Sequence, residues 1–130
     1  MNLEEQKIKQ ELFISGLNAF NANKFYDAHE YWEDLWSDYR LKDAKFIQAL
    51  IQLSVGYFHI SNLNINGANG LLKKCLPKFT LYKPHQRGLD VNKIILSVDN
   101  SLNDLDAIEN INKFNWSLVP KLIVDESRSI

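Results

Sequence analysis

Apolar residues recur every three to five positions along most of the chain, which is the spacing of one face of an α-helix. The first stripe starts at residue 3 and ends in the Asn-rich stretch 21–23, and a second covers about 25–39. The third, over about 43–62, is apolar across a wide arc, so it should be the central and most buried helix. No segment alternates for long enough to indicate a strand, and we expect no sheet.

Proline, glycine and a capping residue set the later boundaries. A fourth helix begins near Ile65, and we expect Pro77 to kink or end it, because proline removes a backbone donor and clashes with the preceding turn. Pro84 and Gly88 mark a loop, and Asp90 is a suitable N-cap for a fifth helix.

Short connections between these helices favour antiparallel neighbours. The pattern therefore predicts an all-α protein, an antiparallel bundle of about five helices. We expect one domain over residues 1–124, with residues 125–130 as a frayed tail.

The sequence also contains a weak internal repeat at a shift of 40 positions. In each copy a helix ends in an Asn-rich turn, and the next helix begins with a large apolar residue followed by alanine. The matching residues are Gly16 and Gly56, Phe25 and Ile65, and Ala28 and Ala68. This resembles tetratricopeptide hairpins, although their 34-residue spacing is absent, and it favours a bundle of paired hairpins.

Composition narrows the class of protein. The chain has 130 residues and one cysteine, so an internal disulfide framework is excluded and a reducing compartment is indicated. It contains no signal-peptide apolar region and no apolar run long enough for a membrane span. We therefore expect a cytoplasmic protein that does not enter the membrane.

The charge is unevenly distributed. The net charge of −1 argues against a dedicated nucleic-acid binder. However, residues 1–40 sum to −4, residues 41–88 to +6 and residues 89–130 to −3. Either acidic and basic helices pack side by side in one bundle, or the basic band binds an anion. The anion-binding residues would be Lys73, Lys74, Lys78, Lys83 and Arg87.

The most unusual stretch for chemistry is DAHEYWEDLW, residues 27–36. At about 100° per residue, His29, Glu33 and Trp36 share one stripe at the edge of the second helix's apolar face. Glu30 lies about 100° further round the helix and should point away, although we keep it among the candidate binding residues.

The third helix carries a matching polar stripe, formed by Gln48, Gln52 and His59. A buried polar group without a partner costs about 1–3 kcal/mol, so these side chains should find partners. If the second and third helices form a hairpin, His29 and Glu33 are the nearest ones.

Three interpretations of these residues stay open. The first is a structural Glu–His–Gln hydrogen-bond network capped by Trp36. The second is an open metal site in which His29, Glu33 and His59 hold a divalent ion such as Zn²⁺ or Ni²⁺, completed by water. The third is acid–base catalysis or small-ligand binding without a metal, with His29 and Glu33 as the candidate catalytic pair.

For the remaining cysteine, histidine and tryptophan residues we expect structural or solvent-exposed positions. Cys75 should be a core thiol, and His85 a solvated loop residue. Trp116 should fix the C-terminal stretch to the bundle. Trp32 should face the core, while Trp36 should lie nearer the rim.

The stretches FNANKFYDAHEYWEDLW, FIQALIQLSVGYFHI and NINGANGLLKK resemble the domain-of-unknown-function 309 family of small bacterial and archaeal proteins. Its hallmark His-x-x-x-Glu-x-x-Trp corresponds to His29, Glu33 and Trp36. The resemblance covers roughly residues 12–106. It also includes Glu30, Gln48, Gln52, Gly67, Ala68 and the segment Gly88–Leu89–Asp90. It implies an all-α bundle in which the three hallmark residues act together, and it brings no established activity.

Two functions follow as hypotheses. One is a cytoplasmic protein with a polar pocket on the hallmark residues, acting on a small molecule by metal-assisted or acid–base chemistry. The other is a non-catalytic, tetratricopeptide-like module that binds a protein partner, with the hallmark as a structural network. A homo-oligomer is compatible with both. The first predicts His29 and Glu33 in a partly wet cleft, and the second predicts them sealed beneath an apolar patch.

Overall fold

The computed structural model describes residues 2–128. It confirms an all-α fold with five helices at nearly the predicted boundaries. The helices are α1 (Leu3–Asn21), α2 (Phe25–Asp38), α3 (Ala44–Ser61), α4 (Ile65–Thr80) and α5 (Val91–Ala107).

Each helix packs mainly against its neighbours along the chain, and α3 lies between α2 and α4. Ten residues of α3 are buried, more than in any other helix, which confirms its central position. Its Tyr57 hydroxyl donates to Ser101 Oγ of α5 at 2.8 Å, and Ser101 donates onward to the Ser97 carbonyl at 2.8 Å. Burial raises the pKa of Tyr57, so this hydroxyl stays protonated and fixes α5 on α3.

The α1–α2 and α3–α4 hairpins share one turn geometry, which confirms the repeat at 40 positions. Asn23 has φ 61° and Leu63 has φ 60°. The following residues, Lys24 and Asn64, each donate a backbone hydrogen bond of 2.8 Å to the carbonyl five positions earlier. The two turns therefore bend the chain in the same way.

Both hairpins also use a glycine at the point of closest helix approach. A Cβ on Gly16 would overlap the indole of Trp32, and a Cβ on Gly56 would lie 2.8 Å from Leu72 Cδ2. Trp32 and Leu72 are themselves 40 positions apart and fully buried. In the first hairpin the Trp32 Nε1–H also donates to the Phe13 carbonyl at 3.2 Å.

Pro77 does not end α4, which was one of the two outcomes that the sequence predicts for it. The helix continues to Thr80 with Pro77 inside it. Pro77 is exposed, so the carbonyl four residues earlier that loses its donor can be solvated. The last turn is also stabilised by packing, because the buried Phe79 meets Phe46 edge-on at 5.7 Å.

The expected absence of a sheet is corrected by one short strand pair. β1 (His85–Gln86) pairs antiparallel with β2 (Leu89–Asp90), and the intervening Arg87 and Gly88 have φ 52° and 76°. Two consecutive positive φ values are typical of a type I′ hairpin turn. Two-residue strands are too short to show alternation. Asp90 caps α5 as predicted, accepting from the Lys93 N–H at 3.0 Å.

A buried ion pair connects this hairpin turn to the start of α3. Asp43 accepts from Arg87 Nε at 2.6 Å and Nη2 at 3.0 Å, and from Gln86 Nε2 at 3.0 Å. Arg87 also lies 4.8 Å from the centre of the Phe13 ring. Burial alone would raise the pKa of Asp43, but the hydrogen bonds and charge of Arg87, together with Gln86, lower it below its ordinary value.

The acidic and basic helices do not neutralise one another inside the molecule. The ion pairs of residues 2–128, between Asp43 and Arg87 and between Asp125 and Arg128, involve neither α2 nor α4. The acidic and basic groups therefore form no cross-pairs, because α3 separates the helices that carry them. One of the five candidate anion-binding residues, Arg87, is bound to Asp43.

The C-terminal stretch crosses the bundle in three short 3₁₀ turns, at Ile111–Lys113, Trp116–Leu118 and Glu126–Arg128. The Trp116 ring stacks on Phe25 with 6.1 Å between centroids, as expected for a residue that fixes this stretch. Asn21 exchanges two side-chain hydrogen bonds with the Leu122 backbone, at 3.0 and 2.8 Å.

Asp125, the first residue of the predicted tail, is hydrogen-bonded to the rest of the protein. The Asp125 N–H donates to the Gly88 carbonyl at 2.8 Å. Residues 129–130 of that tail lie outside the described residues. No helix within residues 2–128 is long and apolar enough to cross a membrane.

The single thiol behaves as a core side chain. Cys75 is fully buried, and its Sγ lies 3.1 Å from the Leu72 carbonyl. Burial raises the pKa of Cys75 to about 12, so the reactive thiolate is scarce at neutral pH.

We predict that Gly16→Ala lowers the free energy of unfolding by about 2–4 kcal/mol, because the new methyl group must displace the Trp32 indole from its hydrogen bond. Gly70→Ala is the matched control, since its Cβ would meet no atom within 4 Å. It should stabilise α4 by about 0.5–1 kcal/mol. Urea denaturation of both variants checks this, and equal effects would contradict the assignment of Gly16 as a close-packing site.

We predict that Arg87→Met lowers the free energy of unfolding at about pH 7 by about 2–4 kcal/mol, because it leaves the Asp43 carboxylate buried without its cation. Pairing lowers the folded-state pKa of Asp43 below the unfolded value of about 3.9. The stabilisation is therefore present above that value and is lost as the pH falls through the folded-state pKa.

The measurement is urea denaturation of wild type and Arg87→Met over a pH series. The difference between them should shrink on acidification. Arg128→Met removes the exposed pair with Asp125 and should leave the midpoint unchanged. A difference that is constant with pH would show that Arg87 stabilises by packing alone.

Candidate functional site

The hallmark residues lie at the edge of α2 that faces α3. Tyr26, His29, Glu33 and Trp36 follow one another at helical spacing and form one stripe, which we call the α2 edge. His29 and Glu33 are half-buried, while Tyr26 is 50% and Trp36 38% exposed. Trp36 thus lies at the rim as predicted, with two aromatic rings at the ends of a polar centre.

His29 is held in a defined orientation by its own helix. Its Nδ1 lies 2.9 Å from the Tyr26 carbonyl oxygen, which can only accept a hydrogen bond. The proton of the neutral ring is therefore on Nδ1, and Nε2 is the acceptor. The Tyr26 ring covers the imidazole, with 5.0 Å between centroids.

The Glu33 side chain forms no hydrogen bond or ion pair with any residue in the range 2–128. The predicted Glu–His–Gln network is therefore not formed in this part of the chain. The reason is that His29 uses its donor on the Tyr26 carbonyl one turn earlier. The Glu33 carboxylate is left as an unpaired, half-buried acceptor.

Helix α3 carries another unpaired acceptor. Tyr26 and Phe58 are in ring contact at 5.3 Å, which fixes the antiparallel register of α2 and α3. Counting turns from this contact places Gln52 at the height of Glu33 along the helix axes, but about 120° round α3 from Phe58, on the side of His59. Gln52 Oε1 is buried and accepts no hydrogen bond from residues 2–128.

His59 belongs to a different arrangement. Its Nδ1 accepts from Asn64 Nδ2 at 3.3 Å, while Asn64 Oδ1 accepts from the Gly67 N–H at 3.0 Å and so caps α4. A Cβ on Gly67 would lie 2.8 Å from the imidazole carbons of His59. This glycine therefore makes room for the histidine that is hydrogen-bonded to the capping Asn64.

The three predicted metal ligands are not assembled into one site. Within residues 2–128 no group of three His, Cys, Asp or Glu side chains is placed to hold a metal ion. His59 is engaged with Asn64 at the α3–α4 turn, away from a shared position with His29 and Glu33. Glu30 is exposed, as its position on α2 predicts.

Concave regions lie both beside the α2 edge and away from it. A cavity of about 240 Å³ adjoins it at the start of α2, between Tyr26, Phe58 and Ser61. A larger groove of about 640 Å³ lies between α5, the β1–β2 hairpin and the C-terminal stretch. Its lining includes the predicted loop residue His85, which is half-buried with Nδ1 3.4 Å from Arg128 Nη1. The groove was not predicted, because one wall is a stretch without periodicity.

Comparison with known proteins gives one family. Residues 13–71 match the family model described as "Domain of unknown function (DUF309)". No curated protein is significantly similar to the chain. The matched segment runs from the middle of α1 into α4 and spans both turns and the α2 edge.

Proposed function

We propose, for a chain whose residues 13–71 belong to the domain-of-unknown-function 309 family, that the α2 edge binds a small ligand carrying an ammonium or guanidinium group. The observation that carries this proposal is a pair of neighbouring acceptors without donors, namely His29 Nε2 and the Glu33 carboxylate. A ligand rich in N–H donors would satisfy both.

Energetics supports a donor ligand. Each half-buried acceptor that gains a donor forms a hydrogen bond worth about 0.5–1.5 kcal/mol. A charged donor facing a carboxylate gives the stronger, charge-assisted type of hydrogen bond. Glu33 therefore favours a cation.

The surroundings select for positive charge as well. Helix α2 carries five acidic residues and no lysine or arginine, so its potential attracts cations and repels anions. The exposed rings of Tyr26 and Trp36 can stack on or lie against a cationic group. Those rings would act as the two end walls of the site.

Acid–base catalysis at the same edge is the second candidate. It is favoured by the His29 hydrogen bond to Tyr26, which leaves Nε2 free to accept a proton beside Glu33. A bound amine or guanidine would present its protons to this nitrogen. Binding is the more economical proposal, because it requires only the unpaired acceptors.

We also propose a cytoplasmic location. The support is a single cysteine that is buried among core residues, which suits a reducing compartment.

The test uses three probes with one alkyl chain: n-butylguanidinium, n-butylammonium and n-butyrate. We predict that the two cations shift the NMR signals of the His29 imidazole and the Trp36 indole, while n-butyrate does not. Glu33→Gln keeps the shape and removes the charge, and should weaken cation binding by about ten- to a hundredfold.

The matched control is Glu30→Gln, which makes the same charge change at an exposed position about 100° round the helix. It should alter the dissociation constant by less than about twofold. Equal weakening by both substitutions would mean that the cations sense only the overall charge of α2. Equal binding of n-butyrate would contradict the proposal outright.

A further inference from the structure

The two hairpins carry opposite charges at equivalent positions. Because the α1–α2 and α3–α4 hairpins share one turn geometry at a shift of 40 residues, α2 and α4 are equivalent helices. At three equivalent positions the first has a carboxylate and the second a lysine. The pairs are Glu33 and Lys73, Asp34 and Lys74, and Asp38 and Lys78.

Neither set of charges has an ionic partner within residues 2–128. Helix α2 has no basic residue apart from His29, and α4 has three lysines and no acidic residue. The Lys78 ammonium instead donates to the Lys74 carbonyl of its own helix, at 3.3 Å. Both helices therefore present unneutralised faces of opposite sign.

On each helix the charges continue a stripe that begins with an apolar side chain. Tyr31, Asp34 and Asp38 follow the spacing i, i+3, i+7, and Tyr31 is 41% exposed. We call these three residues the acidic stripe. The basic stripe has the same spacing and consists of Leu71, Lys74 and Lys78.

The surface beside the basic stripe is open at Gly70. A Cβ at Gly70 would meet nothing within 4 Å, and Pro77 is exposed on the same side of α4. An aromatic ring can approach such a helix closely, and tyrosine is enriched where protein interfaces are buried.

We propose that the acidic stripe of one molecule docks on the basic stripe of a second copy of this chain. The argument for this occupant is charge complementarity, since each copy carries both stripes with the same spacing and opposite charge. A two-fold axis then makes the contact twice and closes the assembly as a dimer. Unrelated basic partners would match one stripe and leave the other uncovered.

This surface is separate from the α2 edge. Asp34 lies five positions after His29, about 140° round the helix. Glu33 borders both surfaces, so a test of the dimer leaves Glu33 and Lys73 unchanged. Ligand binding at the α2 edge and dimer formation can therefore fail independently.

The test is sedimentation equilibrium of the full chain over a concentration series. Wild type should dimerise at about 0.05 M salt and dissociate as salt approaches about 1 M, because exposed charges are then screened. The pair Asp34→Lys with Asp38→Lys, and the pair Lys74→Glu with Lys78→Glu, should each raise the dissociation constant about ten- to a hundredfold.

Mixing the two reversed proteins in equal amounts should restore association, because both contacts then join opposite charges. The control pair Asp99→Lys with Asp106→Lys makes the same change in net charge on the exposed face of α5 and should leave dimerisation unchanged. If a reversed protein loses its helical circular dichroism, Asp34→Asn with Asp38→Asn takes its place, with weakened association expected.

A wild type that stays monomeric at every concentration overturns the proposal. So does a dimer that the reversals leave intact, or a mixture that does not recover association.

Discussion

The position of every functional residue on α2 depends on how the Trp32 indole fits against Gly16. The absence of a side chain at Gly16 lets the indole reach across to α1, and its Nε1–H donates to the Phe13 carbonyl. This contact combines a fully buried aromatic ring with a directional hydrogen bond. It fixes both the separation of the two helices and the rotation of α2 about its axis. That rotation carries His29 and Glu33 to the edge facing α3.

The second hairpin has the same kind of contact between a glycine and a large side chain, with a leucine in place of the tryptophan. Leu72 meets Gly56 in the position that Trp32 takes against Gly16, without the hydrogen bond. The serial packing of the two hairpins places α2 and α4 at equivalent positions on either side of α3. Their opposite charges lie on the surface and take no part in the packing between the helices. The Asp43–Arg87 pair then holds the segment after α4 against the start of α3.

Features with a local cause could be predicted from the sequence. The helix boundaries follow from periodicity and turns, and Asp90 caps α5 through its own backbone neighbourhood. The rim position of Trp36 and the burial of Trp32 follow from their angular separation on one helix. The match over residues 13–71 likewise confirms a family resemblance carried by contiguous motifs.

Features with a tertiary cause could not be predicted. His59 falls on the polar stripe of α3, but its ring turns to Asn64 because Gly67 leaves space there. The partners Asp43 and Arg87 are 44 residues apart, and no periodicity connects them. Pro77 is tolerated because it faces solvent. Whether a position on α4 faces solvent depends on how the helices pack. The hydrogen bond of His29 is a local exception, because it joins residues three positions apart on one helix and takes the place of the expected side-chain network.

The most direct test of the account is the tautomer of His29, read from the ¹⁵N shifts of its imidazole nitrogens at a pH where the ring is neutral. If the packing of α2 holds the ring against the Tyr26 carbonyl, the proton must be on Nδ1, with Nε2 free for a ligand. The account predicts this Nδ1–H form. Finding the Nε2–H form, which free histidine prefers, would show that Nε2 is not the acceptor of the site and would contradict the account.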